Sequence, residues 1–191
     1  MSTLEIRPLL PADASSYFAL RLEGLRDAPG ASWASYEEEE ALPLDAIETR
    51  LAPGVAQCSF GAFMDGKLVG IASLKHEAIA KIAHRANIWG VYVTPSARMM
   101  GVATQLVEAM IVHALRVEVL AQLTLVVNSG NVLAAALYAK LGFVVTGIDR
   151  RSTRIDGTYH DELRMVRFLD QVLVPVARSG EQPQSDCCLR R

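Results

Sequence analysis

Thirteen residues from Val91 to Ala103, Val-Tyr-Val-Thr-Pro-Ser-Ala-Arg-Met-Met-Gly-Val-Ala, constrain this chain more than any other stretch. The β-branched and aromatic residues predict a strand, and Pro95 ends it, because proline cannot continue a hydrogen-bonded ladder. Gly101 and Ala103 then open the longest helical pattern, from Met99 to about Glu118. Its polar positions Gln105, Glu108 and Arg116 fall on a narrow stripe, so most of the helix must lie against a sheet. Small residues let a ligand approach the backbone, and unpaired amides at a helix N-terminus favour phosphate. The same pattern also fits an ordinary strand–loop–helix joint with a glycine in its first turn.

The flanking segments supply the rest of the fold. Thr3 to Arg7 alternates as a strand that Pro8 stops, and Asp13 reads as the N-cap of a helix reaching about Arg26. Pro29-Gly30 breaks the chain. A polar stretch with Trp33, Tyr36 and Glu37 to Glu40 follows, then a helix from about Leu44 to Leu51. Gln57 to Met64 and Lys67 to Lys75 form a hairpin around Asp65-Gly66. Arg85 to Val93 is the next strand, and Gly90 inside it marks a bulge. Leu120 to Val127 reads as a strand buried on both faces. Asn131 caps a helix that Gly142 stops near Leu141, and two strands, Phe143 to Ile148 and Tyr159 to Phe168, close the pattern. The order β-α-α-β-β-β-α-β-α-β-β predicts an α/β (α+β) mixed sheet, mostly antiparallel, with helices on both faces. Residues 1–172 form one domain in this reading, and 173–191 a disordered tail.

Nineteen basic residues against 21 acidic ones leave a formal charge of −2, which argues against a dedicated nucleic-acid binder. The apolar share of 51 % excludes wholesale disorder. Apolar runs such as Leu123 to Val127 are too short to span a bilayer, and Met1 to Pro11 carries Glu5 and Arg7 where a signal peptide would be apolar. Cys58, Cys187 and Cys188 make no disulfide framework. These features predict a cytoplasmic protein with no membrane or nucleic-acid partner.

A second segment narrows the reading: Asn131-x-x-Ala134-x-x-Leu137-Tyr138-x-Lys140-x-Gly142-Phe143 follows the buried strand. With Arg98, Gly101 and Ala103 in a Gln/Arg-x-x-Gly-x-Gly/Ala loop, and with the closing Asp161-Glu162-Leu163-x-Met165, the chain closely resembles the GCN5-related N-acetyltransferase superfamily over about residues 3 to 169. The resemblance implies a sheet whose two central parallel strands splay apart at the Gly90 bulge. It implies acetyl-CoA as co-substrate and no metal, the acetyl group passing to a primary amine on a small molecule or peptide by direct attack in a ternary complex. The cofactor would lie on Val91, Tyr92 and Val93, on the loop Arg98, Met99, Met100, Gly101, Val102, Ala103 and Thr104, and on Asn131 and Tyr138. Tyr138 would protonate the departing thiolate, and Trp33, Tyr36, Glu37 and Glu38 would line the acceptor site. Homodimerisation through the last strands is common in that family.

Two departures stand out. Met99 and Met100 occupy positions where many relatives carry Gly and a cation, and Asn87 stands where many carry a Glu base. Asn87 cannot accept a proton and can only orient water, so His76, Glu77, His84 and His160 become base candidates, each of which also fits a solvated surface residue. These departures keep open a non-catalytic alternative that binds acetyl-CoA or a partner without transfer. Gly61 to Lys67 mimics a phosphate-loop pattern, but Leu68 stands where Ser or Thr is needed and the glycines lie in a hairpin. No Cys or His pair has zinc-ligand spacing.

Overall fold

The computed structural model describes residues 3–54 and 57–169. The elements run β1 (Leu4–Pro8), α1 (Ala14–Asp27), α2 (Tyr36–Glu40), α3 (Leu44–Leu51), β2 (Gln57–Met64), β3 (Lys67–His76), β4 (Arg85–Val93), α4 (Val102–Ala114), β5 (Gln122–Asn128), α5 (Val132–Lys140), β6 (Val144–Ile155) and β7 (Thr158–Phe168). One seven-stranded sheet has the order β1-β2-β3-β4-β5-β7-β6. Every neighbouring pair is antiparallel except β4–β5. The mixed α/β class and the helices on both faces match the sequence reading. The expected tail and its cysteines lie outside the described residues.

Two apolar clusters hold the layers together. On one face α4 and α5 cover Phe60, Ala72, Leu74, Ile88, Leu123, Leu125 and Met165. On the other, α1 and α3 cover Phe63, Leu68, Ile71 and Tyr92 through Tyr17, Leu20, Ile47 and Leu51. Strand β4 contributes to both because its alternation reverses. Ala86 and Ile88 face α4, but beyond the bulge it is Val93 that does so, while Tyr92 faces α1. Trp89 opposes Ser73 and Tyr92 opposes Ile71, so Gly90 and Val91 together face one residue of β3. Gly90 has φ +63°, a conformation that β-branched or bulky residues rarely adopt, and this is why glycine stands at the expected bulge.

Several local expectations change. Within the polar stretch, residues 36–40 form a short helix, because Ser35 and Glu38 build a reciprocal capping box, and Glu39 in it is buried. The Asp13 carboxylate does not cap α1. It accepts the Leu10 amide at 2.9 Å and pairs with Arg7. Helix α4 starts only after Gly101, which is left-handed at φ +79°, and it ends at Ala114. Strand β5 alternates buried and half-buried residues instead of being buried on both faces. Strand β6 continues to Ile155 through an irregularity between Asp149 and Thr153, where Arg151 has φ +52°.

Candidate active site

Strands β4 and β5 pair at only three positions, Arg85 with Gln122, Ala86 with Leu123 and Asn87 with Thr124. Past this point β5 continues with β7 as far as Asn128, and β4 stays with β3. The edges from Ile88 to Val93 and from Leu125 to Asn128 therefore face each other unpaired and enclose a wedge-shaped gap. A free strand edge is a template for an extended chain that carries amides. Val91 is half-buried there, and Tyr92 and Val93 are buried. The Val93 carbonyl already accepts from Arg98 Nε at 3.0 Å.

The loop that follows β4 lies between two buried anchors, Ala97 and Val102, each 1 % exposed. Between them Met99, at φ +61°, is 93 % exposed and Met100 is 54 % exposed. The first amides of α4, from Val102, Ala103 and Thr104, have no intrahelical acceptor, and Gly101 offers no side-chain cap. A Cβ placed on Gly101 would meet nothing within 4 Å, so the space beside Gly101, immediately before the helix, is open. Arg98 turns away from it. Its guanidinium pairs with Asp27 of α1 and lies over the Tyr92 ring, and the hydrogen bond to Asp27 raises its pKa further.

Tyr138, on α5, is 8 % exposed and packs edge-on against Phe143 with ring centroids 5.9 Å apart. It shares an apolar cluster with Val93, Leu125 and Val127, which come from the two lips of the gap. Its hydroxyl makes no hydrogen bond among the described residues, and burial pushes its pKa up to about 12. Asn131 Oδ1 accepts the Ala134 amide at 3.1 Å and thereby caps α5. Asn87 sits at the closed end, where its Nδ2 donates to Thr124 Oγ1 at 3.2 Å. His76, Glu77 and His84 lie at that end too: His76 pairs with Ala86, the Glu77 amide with the Arg85 carbonyl, and the His84 carbonyl with the Ala121 amide. Burial and the nearby His113 lower the pKa of His76. His160 lies on β7, opposite Thr153.

The α1-side face of the gap is polar, and the chain between α1 and α2 crosses it. Arg21, 5 % exposed, reaches under β4, and its Nη2 donates to Ser32 Oγ at 2.8 Å. A Cβ on Gly90 would lie 3.7 Å from Arg21 Nη1. Glu39, 4 % exposed, pairs with both Arg21 and Arg50, and each arginine also lies over the Trp89 ring. Next to Ser32, Trp33 Nε1 donates to both carboxylate oxygens of Glu162, at 3.1 and 3.0 Å. Beside this contact a groove of about 930 Å³ runs between residues 25–37 and residues 152–156 and is lined by Trp33, Tyr36 and Glu37. The Tyr36 hydroxyl contacts Arg26 and donates to Glu40 at 2.5 Å, and the Glu38 carboxylate accepts the Ser35 amide at 2.8 Å inside the capping box.

The sequence reading missed Arg21, Glu39, Arg50, Trp89, Ser152 and Glu162. For Arg21 a signal existed. With Tyr17, Leu20, Gly24 and Leu25 it occupies the buried stripe of α1, spaced i, i+3, i+4, i+7, i+8. Among the described residues no group of three His, Cys, Asp or Glu is placed to hold a metal, and no helix is long and apolar enough to cross a membrane.

The sequence profile of the acetyltransferase (GNAT) family matches residues 21–143. No curated protein matches the chain. Among solved structures, an acetyltransferase of the GNAT family from Streptococcus pneumoniae is 26 % identical and superposes with a TM-score of 0.77 over 87 % of this chain and 99 % of its own. YncA from Salmonella typhimurium, solved with its cofactor acetyl-CoA, is 21 % identical with a TM-score of 0.75, over 92 % and 99 % of the two chains. The ribosomal-protein-S18-alanine N-acetyltransferase of Escherichia coli is 20 % identical with a TM-score of 0.67, over 88 % and 96 %.

Proposed function

Because the chain belongs to the GNAT acetyltransferase family, we propose that it is an N-acetyltransferase that moves an acetyl group from acetyl-CoA to a primary amine by direct attack within a ternary complex. The observation that carries this reading is the wedge between β4 and β5, with its unpaired edge at Ile88 to Val93 and the first amides of α4 beyond it. Acetyl-CoA supplies an activated thioester. Residues 91–93 would align its amide-bearing arm, as an added strand aligns on a sheet edge. The amides of Val102, Ala103 and Thr104, with the helix dipole behind them, would hold its pyrophosphate.

An amide N–H of β4 would polarise the carbonyl under attack, an oxyanion-hole role. Tyr138 would hold the proton for the departing sulfur, since at pKa about 12 its phenol stays protonated at any working pH. Asn87 would orient water at the closed end. The amine would arrive from the polar α1-side face, where Trp33, Tyr36 and Glu37 line the groove.

The test is release of free CoA thiol from acetyl-CoA in the presence of a panel of primary amines. Amine-dependent release supports transfer. One observation favours a second, non-catalytic reading: the side chain at the apex is an amide, which accepts no proton and is already bonded to Thr124. Calorimetric binding of acetyl-CoA without thiol release for any amine would establish that alternative.

A further inference from the structure

We infer that Glu162, together with Trp33 and Ser152, anchors a positively charged group of the acceptor that is separate from the amine being acetylated; this rests on the acetyltransferase reading above. Glu162 is 5 % exposed. Both its oxygens accept from Trp33 Nε1, at 3.1 and 3.0 Å, and Oε2 also accepts from the Ser152 hydroxyl. Both donors are neutral. Among the described residues no cation lies within ion-pair distance of Glu162, because the neighbouring arginines are engaged elsewhere. Arg150 pairs with Asp161 and Arg164 with Asp149, each at 2.6 Å, while Arg151 and Arg154 lie against Tyr159.

A buried carboxylate without a counter-charge is costly, and stable sites supply one. Here the two groups that hold the carboxylate border open space. Trp33, 73 % exposed, and Ser152 both line the groove of about 930 Å³, so a ligand in the groove reaches the two groups that hold Glu162. Thr153 Oγ1, also in the wall, is buried without a hydrogen-bond partner. A carboxylate offers about four acceptor positions, so room remains for an ammonium or guanidinium donor. The face of an exposed indole adds attraction for the same charge.

The topology separates this anchor from the reacting amine. Glu162 pairs in register with Asn128 at the mouth of β5. It therefore stands on the far side of β5 from the gap, about 4.8 Å or one strand spacing beyond its lip. The group it holds is a distal one, and the acceptor class is an amine carrying a second cation.

The experiment compares 1,5-diaminopentane with pentylamine as acceptors for the full chain, by CoA release and by calorimetry. The wild type is expected to favour the diamine at least tenfold in kcat/KM and in affinity. Glu162→Gln is expected to collapse that ratio to near one, and Glu162→Asp, which keeps the charge, to retain a larger ratio than Gln. A purely structural role would lower both amines alike and leave the ratio intact, which overturns the proposal. Equal affinity of wild type for the two amines overturns it as well, without any variant having to fold. Should neither amine release CoA, the acetyltransferase reading is decided separately by the amine panel above, and the calorimetric ratio still decides the anchor.

Discussion

Asn87 and Thr124 face each other across the last hydrogen-bonded rung between the two parallel strands, with Asn87 Nδ2 3.2 Å from Thr124 Oγ1. Thr124 Oγ1 in turn donates to the Ala86 carbonyl at 3.3 Å. The two side chains clasp the strands where the sheet begins to divide, so the amide at position 87 marks the apex of the wedge.

Replacing this clasp separates its structural and chemical roles. Asn87→Ala is expected to cost about 1 kcal/mol of stability, the net worth of one part-buried hydrogen bond. The amide does not titrate, so the midpoints of the pH–rate profile should stay where they are in wild type. A shifted acid limb in the variant, read alongside urea unfolding, would show that position 87 governs a proton transfer.

The loop at the start of α4 predicts a division between folding and binding. At Gly101 the left-handed φ of +79°, not crowding, selects glycine, since a Cβ there meets nothing within 4 Å. Asp tolerates that conformation better than most residues and suits a helix N-terminus, so Gly101→Asp should fold. Its negative charge would face the same amides as the pyrophosphate, and acetyl-CoA affinity measured by calorimetry should fall more than tenfold. Met100, 54 % exposed on the same loop, has room for a longer cation. Met100→Arg should tighten binding by about 1 kcal/mol, roughly fivefold, with the gain shrinking as salt rises.

What the sequence revealed and what it concealed follows from the range of the interactions. The Asp65-Gly66 hairpin, the Gly90 bulge and the Asn131 cap are decided within a few residues, and all three stand where local chemistry puts them. Glu162 was concealed because its partner lies 129 residues away. Its alternation with Leu163 and Met165 says only that it points away from the α4 core, which for a lone strand means water. That Trp33 covers this face is a fact of topology. Glu39 was concealed by its neighbours. In a run of four glutamates nothing singles out the one that the capping box of α2 turns inward toward Arg21 and Arg50.

That inward glutamate supports a fourth prediction. Glu39→Ala would leave Arg21, whose side chain is 6 % exposed, buried without its counter-charge, while Arg50, at 20 %, can reach water. Removing one partner of a buried ion pair costs about 3 to 5 kcal/mol, and the lower end is expected because Arg50 relaxes outward. Urea denaturation should show the midpoint fall with an unchanged slope. A loss below about 1 kcal/mol would mean that water already reaches the three side chains.

Tyr138 carries the last prediction. If its phenol protonates the departing sulfur, Tyr138→Phe should lower kcat about 10²-fold and leave the KM for acetyl-CoA nearly unchanged, because the ring still fills its place against Phe143. Burial pushes the phenol up to about 12, so it stays protonated across the usable pH range. The loss should therefore be the same at pH 7 and pH 10, and the alkaline limb of the rate profile should keep its midpoint. Stability follows the same shift. A folded pKa above the ordinary value near 10 means that the contribution is complete below about pH 10 and is lost as pH rises toward 12. The Phe variant lacks an ionisable group at this position, so its unfolding free energy should gain on wild type only above about pH 10. A kcat loss confined to alkaline pH would contradict a buried, protonated Tyr138, and parental turnover at every pH would assign the proton to water.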